Sequence, residues 1–196
     1  MDDLILYHCP QTRSQVAYWM NAELGMPAHI EIVDLPAGRH KSPEYLAVNP
    51  MGKLPALRHG DVIVTESAAI CAYLADLFPE QGLAPQIGTP LRGAYYRWLF
   101  FAPSVIEPMM LDRLSKTERQ NTSSAGHGSP EDVLTTIRGA LSGKEYIVGD
   151  TFTAADVVLA STLNFAMLFG AIDKEEVFST YVGRLLERPA AKSAIG

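Results

Sequence analysis

The 196-residue sequence predicts an α+β domain followed by an all-helical domain. Strand, helix and strand patterns succeed one another within residues 4–33, which is typical of a βαβ unit with a right-handed crossover. A second helix, a hairpin and a third helix complete the order β-α-β-α-β-β-α by residue 79. From residue 91 onward the apolar residues recur only at helical spacing, so we expect no strand there.

The first elements each carry a local signal. Residues 4–8 form an apolar stretch that predicts a strand, and residues 29–33 predict a second one. Between them, residues 13–24 have apolar side chains at helical spacing and stop before Gly25, a typical helix end. Residues 42–43, serine and then proline, predict the cap and first position of a short helix.

A hairpin and a third helix follow. Residues 54–57 and 62–64 are apolar and flank the turn at residues 59–61. Residues 65–67 predict the start of the helix, and the Gly- and Pro-rich residues 80–90 read as a linker. We therefore expect three segments along the chain: an α+β domain over residues 1–79, a linker over 80–90 and a helical domain over 91–196.

Composition excludes several classes of protein. The net charge is −6 and the 16 basic residues are scattered, so nucleic acid is not an expected partner. Two cysteines cannot build a disulfide framework and fit a reducing, cytoplasmic setting. No apolar run approaches the roughly 18 residues that span a bilayer, and the first residues lack the features of a secretory signal.

The strongest motif is Gly52-Lys53-Leu54-Pro55-Ala56, followed by the hairpin and Glu66-Ser67. A proline that begins a strand cannot donate to the sheet, and a cis bond before it would turn the backbone of Leu54 outward to pair with an extended peptide. At a helix start, Glu66 and Ser67 lie where free N–H groups favour an anion. An edge-strand proline and an ordinary capped helix explain either half alone, but the two together at this spacing favour a binding site.

Two parts of the sequence resemble the glutathione-site half of cytosolic glutathione transferases: residues 40–57 and residues 65–74. Residues 149–156 and 187–190 resemble motifs of that family's helical half. The resemblance covers nearly the whole chain and implies a thioredoxin-like front domain. It also implies glutathione as co-substrate, addition of its thiolate to an electrophilic small molecule, a homodimer, and no metal or membrane partner.

The resemblance implies six glutathione-binding residues: His40, Lys53, Leu54, Pro55, Glu66 and Ser67. Leu54, before the expected cis-Pro55, would pair with the cysteinyl backbone. Glu66 would hold the γ-glutamyl ammonium, and Ser67 the carboxylate beside it. His40 and Lys53 would face the glycyl carboxylate; the alternative for each is a solvated loop residue, which we weigh equally for His40 and below the binding role for Lys53.

The residue that activates the thiol is less well defined. In the family it is a Tyr on the first strand, or a Ser or Cys just before the first helix, and the latter position falls on Gln11 here. Thr12 is beside that position and carries a hydroxyl, so we rank it first, ahead of Tyr7 and Cys9. The alternatives are that Thr12 only caps its helix and that Cys9 is a small buried residue.

Two other functions remain open at this point. Cys9-Pro10-Gln11-Thr12 is similar to a thiol-redox motif without its second cysteine, which would make the protein a glutathione-dependent thiol oxidoreductase. A non-catalytic binding protein with the same fold is the other alternative. Thr153 and Asp156 form a capping box that we interpret as structural.

Overall fold

The computed structural model describes residues 4–117 and 122–195. Contacts divide these residues into two compact units. One unit comprises the described residues up to Gly82 and from Arg188 onward, and the other comprises those between Leu83 and Glu187. Within the described ranges, no helix is long and apolar enough to cross a membrane.

The first unit contains a four-stranded mixed sheet of order β2-β1-β3-β4. The strands are β1 (Leu4–His8), β2 (His29–Ile32), β3 (Ala56–His59) and β4 (Val62–Thr65). β2 runs parallel to β1, while β3 is antiparallel to both β1 and β4. The predicted βαβ unit and hairpin are confirmed, and with them the α+β class of this half.

Three helices belong to the same part of the chain: α1 (Ser14–Glu23), α2 (Pro43–Val48) and α3 (Ser67–Leu77). The side chain of Ser42 caps α2 as predicted, accepting the amide of Tyr45 at 3.4 Å. The core holds the fully buried side chains of Leu6, Trp19 and Leu57, among others. Burial alternates along β1 because neighbouring side chains of a strand point to opposite faces.

The second unit is helical: α4 (Pro90–Phe101), α5 (Glu107–Leu114), α6 (Pro130–Leu141), α7 (Ala154–Leu168) and α8 (Glu176–Leu186). A π-helical segment, Ala102–Ile106, joins α4 to α5 where two prolines had predicted a kink or break. α7 is buried along most of its length. The sequence predicted a helical half, and the structure confirms it.

The carboxylate of Asp156 organises the start of α7. It accepts the amide of Thr153 at 2.9 Å, as the capping box predicted. It also accepts the amide of Ile147 at 2.9 Å and the hydroxyl of Tyr181 at 2.8 Å. Asp156 is fully buried, so it serves three segments of the second unit and not its own helix alone.

A last helix, α9 (Pro189–Ile195), returns to the first unit and packs against α1. Arg188, just before it, donates two hydrogen bonds to the carboxylate of Glu23, at 2.7 and 2.8 Å. Nε1 of Trp19 donates to the same carboxylate at 2.8 Å. The sequence predicted residues 188–196 to lie in the helical domain. The described residues of this segment, 188–195, instead contact α1, and the paired guanidinium of Arg188 contributes to that contact.

Candidate active site

The register of the sheet brings three distant segments to one edge. Tyr7 of β1 pairs with Ala56 of β3, which pairs in turn with Thr65 of β4. The end of β1, the start of β3 and the end of β4 therefore meet. The loop after β1, the Leu54–Pro55 segment and Glu66 all continue from this edge.

The backbone before β3 is held in place by two side-chain donors. The Leu54–Pro55 peptide bond is cis, which confirms the prediction. The carbonyl of Lys53 accepts the hydroxyl of Tyr45 at 2.7 Å and the side-chain amide of Asn49 at 2.8 Å. The sequence analysis assigned neither residue a role, although both lie within residues 40–57, the stretch that carries the family resemblance. Burial raises the pKa of Tyr45, so its phenol stays a neutral donor.

Glu66 has an unusual backbone conformation at the start of α3. Its φ is 69° and its ψ is 124°, a region that non-glycine residues seldom adopt. Such strain is typical of ligand sites, where surrounding structure enforces it. Glu66 is exposed and provides no side-chain cap for α3, whose first turn, beginning at the half-buried Ser67, keeps N–H groups available to a ligand.

His40 lies beside the Lys53 loop. A Cβ at position 52 would come within 2.7 Å of the carbonyl oxygen of His40, and φ of Gly52 is +60°, so this close approach requires glycine. Nδ1 of His40 is buried and has no hydrogen-bond partner among the described residues. Buried polar atoms are normally hydrogen-bonded, so this nitrogen is suited to a ligand. The Lys53 side chain is exposed.

Thr12 is half-buried in the loop between β1 and α1. Its hydroxyl donates to the carbonyl of Cys9 at 2.8 Å and accepts the amide of Ser14 at 3.2 Å. The predicted capping role is thus present in part, because the oxygen satisfies an amide at the start of α1. The hydroxyl proton is engaged within the loop, so it must leave the Cys9 carbonyl before it can reach a ligand.

Two buried residues beneath this loop, His8 and Ser14, were not predicted as part of the site; Ser14 was interpreted only as a hydroxyl at a helix start. Oγ of Ser14 lies 2.8 Å from Nδ1 of His8, 2.7 Å from Oγ1 of Thr12, and within reach of both backbone groups of Cys9. His8 also stacks on Tyr18, with ring centroids 4.6 Å apart. The alternation of side chains along β1 could have identified His8 as buried, since it places His8 on the same face as the buried Leu6.

The other two candidate thiol activators, Tyr7 and Cys9, lie in different surroundings from Thr12. The ring of Tyr7 packs edge-to-face against Tyr45 at 5.7 Å and lines a cavity of about 550 Å³ with Arg58 and residues of α2. Tyr7 alternates with His8 along β1, so the structure does not bring its side chain together with Thr12. Cys9 is half-buried with a free thiol.

Comparison with known families decides the identity of the fold. The family model described as "Glutathione S-transferase, N-terminal domain" matches residues 9–77, and "Glutathione S-transferase, C-terminal domain" matches residues 103–186. The chain belongs to the glutathione S-transferase family. The predicted family, α+β and all-helical fold, transferase activity and co-substrate glutathione are thereby confirmed.

Individual relatives agree with the family match. Glutathione S-transferase GST-4.5 of Xanthomonas campestris pv. campestris is 32% identical over 148 residues, which is 72% of each chain. The crystal structure of a glutathione transferase from Methylococcus capsulatus str. Bath is 30% identical with a TM-score of 0.80, over 98% of this chain and 97% of that one. A sphingomonad glutathione S-transferase complexed with glutathione is 28% identical with a TM-score of 0.78, over 97% and 96%.

Proposed function

We propose that this transferase joins the sulfur of glutathione to the electrophilic carbon of a small molecule, using the sheet edge described above as its glutathione site. The observation that carries the proposal is the convergence there of the cis Leu54–Pro55 segment and the start of α3, which Glu66 does not cap. The sphingomonad relative, which binds glutathione, has the same fold over nearly its whole length. A tripeptide with two carboxylates fits a helix start at one end and basic side chains at the other.

Each part of glutathione then has a partner. The N–H and C=O of Leu54 pair with the cysteinyl backbone in the manner of an added strand, with Pro55 fixing the turn. Ser67 and the first-turn amides of α3 bind the γ-glutamyl carboxylate, and Glu66 binds the ammonium. The unpartnered Nδ1 of His40 and the exposed Lys53 face the glycyl carboxylate.

Thr12 donates a hydrogen bond to the thiolate in this proposal. A free thiol has a pKa near 8.5, so only about 3% is ionised at pH 7. Donors and a nearby helix start can lower that value by about two units. Ionisation then rises about thirtyfold at most, and the remaining acceleration comes from positioning the second substrate. The thiol proton is lost to solvent, and an electron pair of the sulfur forms the new C–S bond. In a substitution the carbon–leaving-group bond breaks and its electron pair departs with the leaving group. In an addition the π pair of the attacked double bond moves to the neighbouring atom, which then takes up a proton.

The alternatives from the sequence receive less support. The family match favours a transferase over an oxidoreductase that uses Cys9 and over a non-catalytic binding protein. The thiol of Cys9 is half-buried, and the backbone of Cys9 is bonded to Ser14 and Thr12. Both cysteines are free, which suits the reducing cytoplasm, where we expect the protein to act.

A homodimer is the proposed assembly. α4 exposes Tyr96 and Phe100, whose rings stack at 6.3 Å, with 39% and 51% of their surfaces accessible. Leu91 on the same helix is 51% accessible. A helix with this many exposed large side chains beside its buried face is typical of one that packs against a partner.

The direct test is capture on immobilised glutathione followed by turnover with a panel of electrophiles, with each conjugate identified by mass spectrometry. We expect specific elution by free glutathione and at least one conjugate that needs the enzyme. Glutathione binding without any conjugate would support the non-catalytic alternative. Reduction of a mixed disulfide that is lost in Cys9→Ser would support the oxidoreductase.

A further inference from the structure

His8 and Ser14 are the two buried polar side chains closest to the proposed thiol activator, and no step of the proposed reaction uses them. His8 is 4% exposed and Ser14 is fully buried. Both lie directly beneath the Cys9–Thr12 loop, joined by the 2.8 Å contact between Nδ1 and Oγ. Each buried donor here needs an acceptor, so the position of the proton on one side chain constrains the position of the proton on the other.

Four polar atoms surround Oγ of Ser14. The amide of Cys9 donates to it at 3.0 Å, and the carbonyl of Cys9 lies 2.9 Å away as an acceptor. Nδ1 of His8 and Oγ1 of Thr12 complete the set at 2.8 and 2.7 Å. A hydroxyl donates one hydrogen and accepts about two, so the roles of these atoms depend on one another.

If Nδ1 of His8 carries the hydrogen, it and the Cys9 amide fill both acceptor positions of Ser14. The Ser14 proton can then go to the Cys9 carbonyl or to Oγ1 of Thr12. In the first arrangement the carbonyl is satisfied without Thr12. Ser14 can accept no further hydrogen, so the Thr12 proton is not required inside the loop. Its oxygen still accepts the Ser14 amide, which fixes the hydroxyl in place.

If Nε2 carries the hydrogen instead, Nδ1 is an acceptor and takes the Ser14 proton. The Cys9 carbonyl then depends on Thr12, whose proton stays in the loop at 2.8 Å. Leaving that carbonyl unpaired would cost the free energy of an unsatisfied polar group. Of the two tautomers, only the Nδ1–H form therefore satisfies these polar atoms while leaving the Thr12 proton available to a ligand.

We propose that His8 is a positioning residue: its Nδ1–H hydrogen bond saturates Ser14, and this releases the Thr12 hydroxyl to the glutathione sulfur. The inference rests on the proposed role of Thr12. Burial lowers the pKa of His8, with its hydrogen bond at Ser14 acting in the opposite direction, so the ring is neutral at pH 7 and its tautomer is the relevant variable.

The tautomer is measured on the wild-type protein with ¹⁵N-labelled histidine, saturated with glutathione. The His8 signals are identified by their loss in His8→Phe. We expect the long-range ¹H–¹⁵N pattern of an Nδ1–H ring. An Nε2–H pattern overturns the proposal, whatever the variants do.

The functional arm measures the pKa of the bound thiol from thiolate absorbance in four proteins: wild type, His8→Phe, Thr12→Val and the double variant. Phenylalanine retains a ring for stacking on Tyr18 and lacks the donor. We expect His8→Phe to raise the thiol pKa by about 0.5 to 1, a three- to tenfold loss of thiolate, and to add nothing in the Thr12→Val background. An equal shift in that background contradicts action through Thr12.

Two comparisons separate this inference from the proposal it rests on. If Thr12→Val leaves the thiol pKa unchanged, Thr12 is not the activator and the role of His8 falls with it. If Thr12→Val raises the pKa and His8→Phe does not, only the inference fails.

His59→Phe is the matched control, because His59 also forms a hydrogen bond with a hydroxyl, that of Tyr73 at 2.7 Å, within the same unit. This variant should leave the thiol pKa unchanged. His8→Asn, with an amide donor near the place of Nδ1, should restore the wild-type value.

Discussion

Oγ of Ser14, at the start of α1, lies 2.8 Å from Nδ1 of His8, at the end of β1. The contact joins the two elements that support the Cys9–Thr12 loop. The residue proposed to touch the thiolate is thus oriented by two side chains buried beneath it. Replacing any of these residues should be judged by the thiol pKa as well as by turnover.

Thr12→Val should raise the pKa of the bound glutathione thiol by about one to two units, because a charge-assisted donor to the thiolate is lost. Titration of the thiolate absorbance measures it, with Thr12→Ser as the control that keeps the hydroxyl. If the valine variant titrates like the wild type while Tyr7→Phe shifts upward, Tyr7 is the donor and our ranking is wrong.

Ser67→Ala should raise the dissociation constant for glutathione several-fold. The hydroxyl is a direct ligand in the proposal, whereas α3 takes no side-chain cap from Glu66, so the fold depends little on this end of the helix. Calorimetric binding and a melting curve measure the two effects separately. Unchanged affinity would remove Ser67 from the site.

Asp156→Ala should destabilise the protein by roughly 3 to 5 kcal/mol, since it leaves several buried donors without an acceptor. Ser129→Ala is the matched control: it removes the half-buried cap of α6, where Ser129 accepts the amide of Asp132 at 3.2 Å, and should cost about 1 kcal/mol. Denaturant unfolding compares them. Similar losses in both variants would mean that Asp156 is only a helix cap.

As the pH is lowered below 6.5, the ordinary pKa of histidine, the free energy of unfolding should decrease more steeply for the wild type than for His8→Phe. The pKa of His8 is lowered by burial, so between that lowered value and 6.5 the unfolded state binds a proton that the folded state does not. The slope from one such group is at most about 1.4 kcal/mol per pH unit. Unfolding at pH 7.5 and 5.5 measures it, and parallel pH dependences would contradict it; the other histidines contribute equally to both proteins.

Phe100→Glu should convert the proposed dimer to a monomer, because a carboxylate in an apolar interface is costly to desolvate. Leu168→Glu is the control, since Leu168 is 64% exposed near the end of α7 and no interface is proposed there. Light scattering at micromolar concentration measures the mass. A wild type that is monomeric under these conditions would refute the dimer itself.

Local chemistry made much of the fold and site predictable. Some signals act over only a few residues: the alternation of strands, the serine cap of α2, and the Gly and Pro residues that end helices and strands. They can be identified without knowledge of distant contacts. The same holds for the Gly52–Pro55 motif. The cis bond at Leu54–Pro55 confirms the part of that prediction that depends on backbone alone. The left-handed backbone of Glu66 was not predicted, because the surrounding structure enforces it and not the adjacent residue types.

The sequence by itself determined the order of elements, the family and the segments that could bind glutathione. The tertiary structure decided which side chains share a space: Tyr7 with Tyr45, His8 with Ser14, and Arg188 with Glu23, the last pair 165 residues apart. The physical reason is that these hydrogen bonds and packing contacts depend on the register of the strands and on the path that brings distant segments of the chain together. Those are set by the whole core, whereas caps, turns and periodicity are set by adjacent residues.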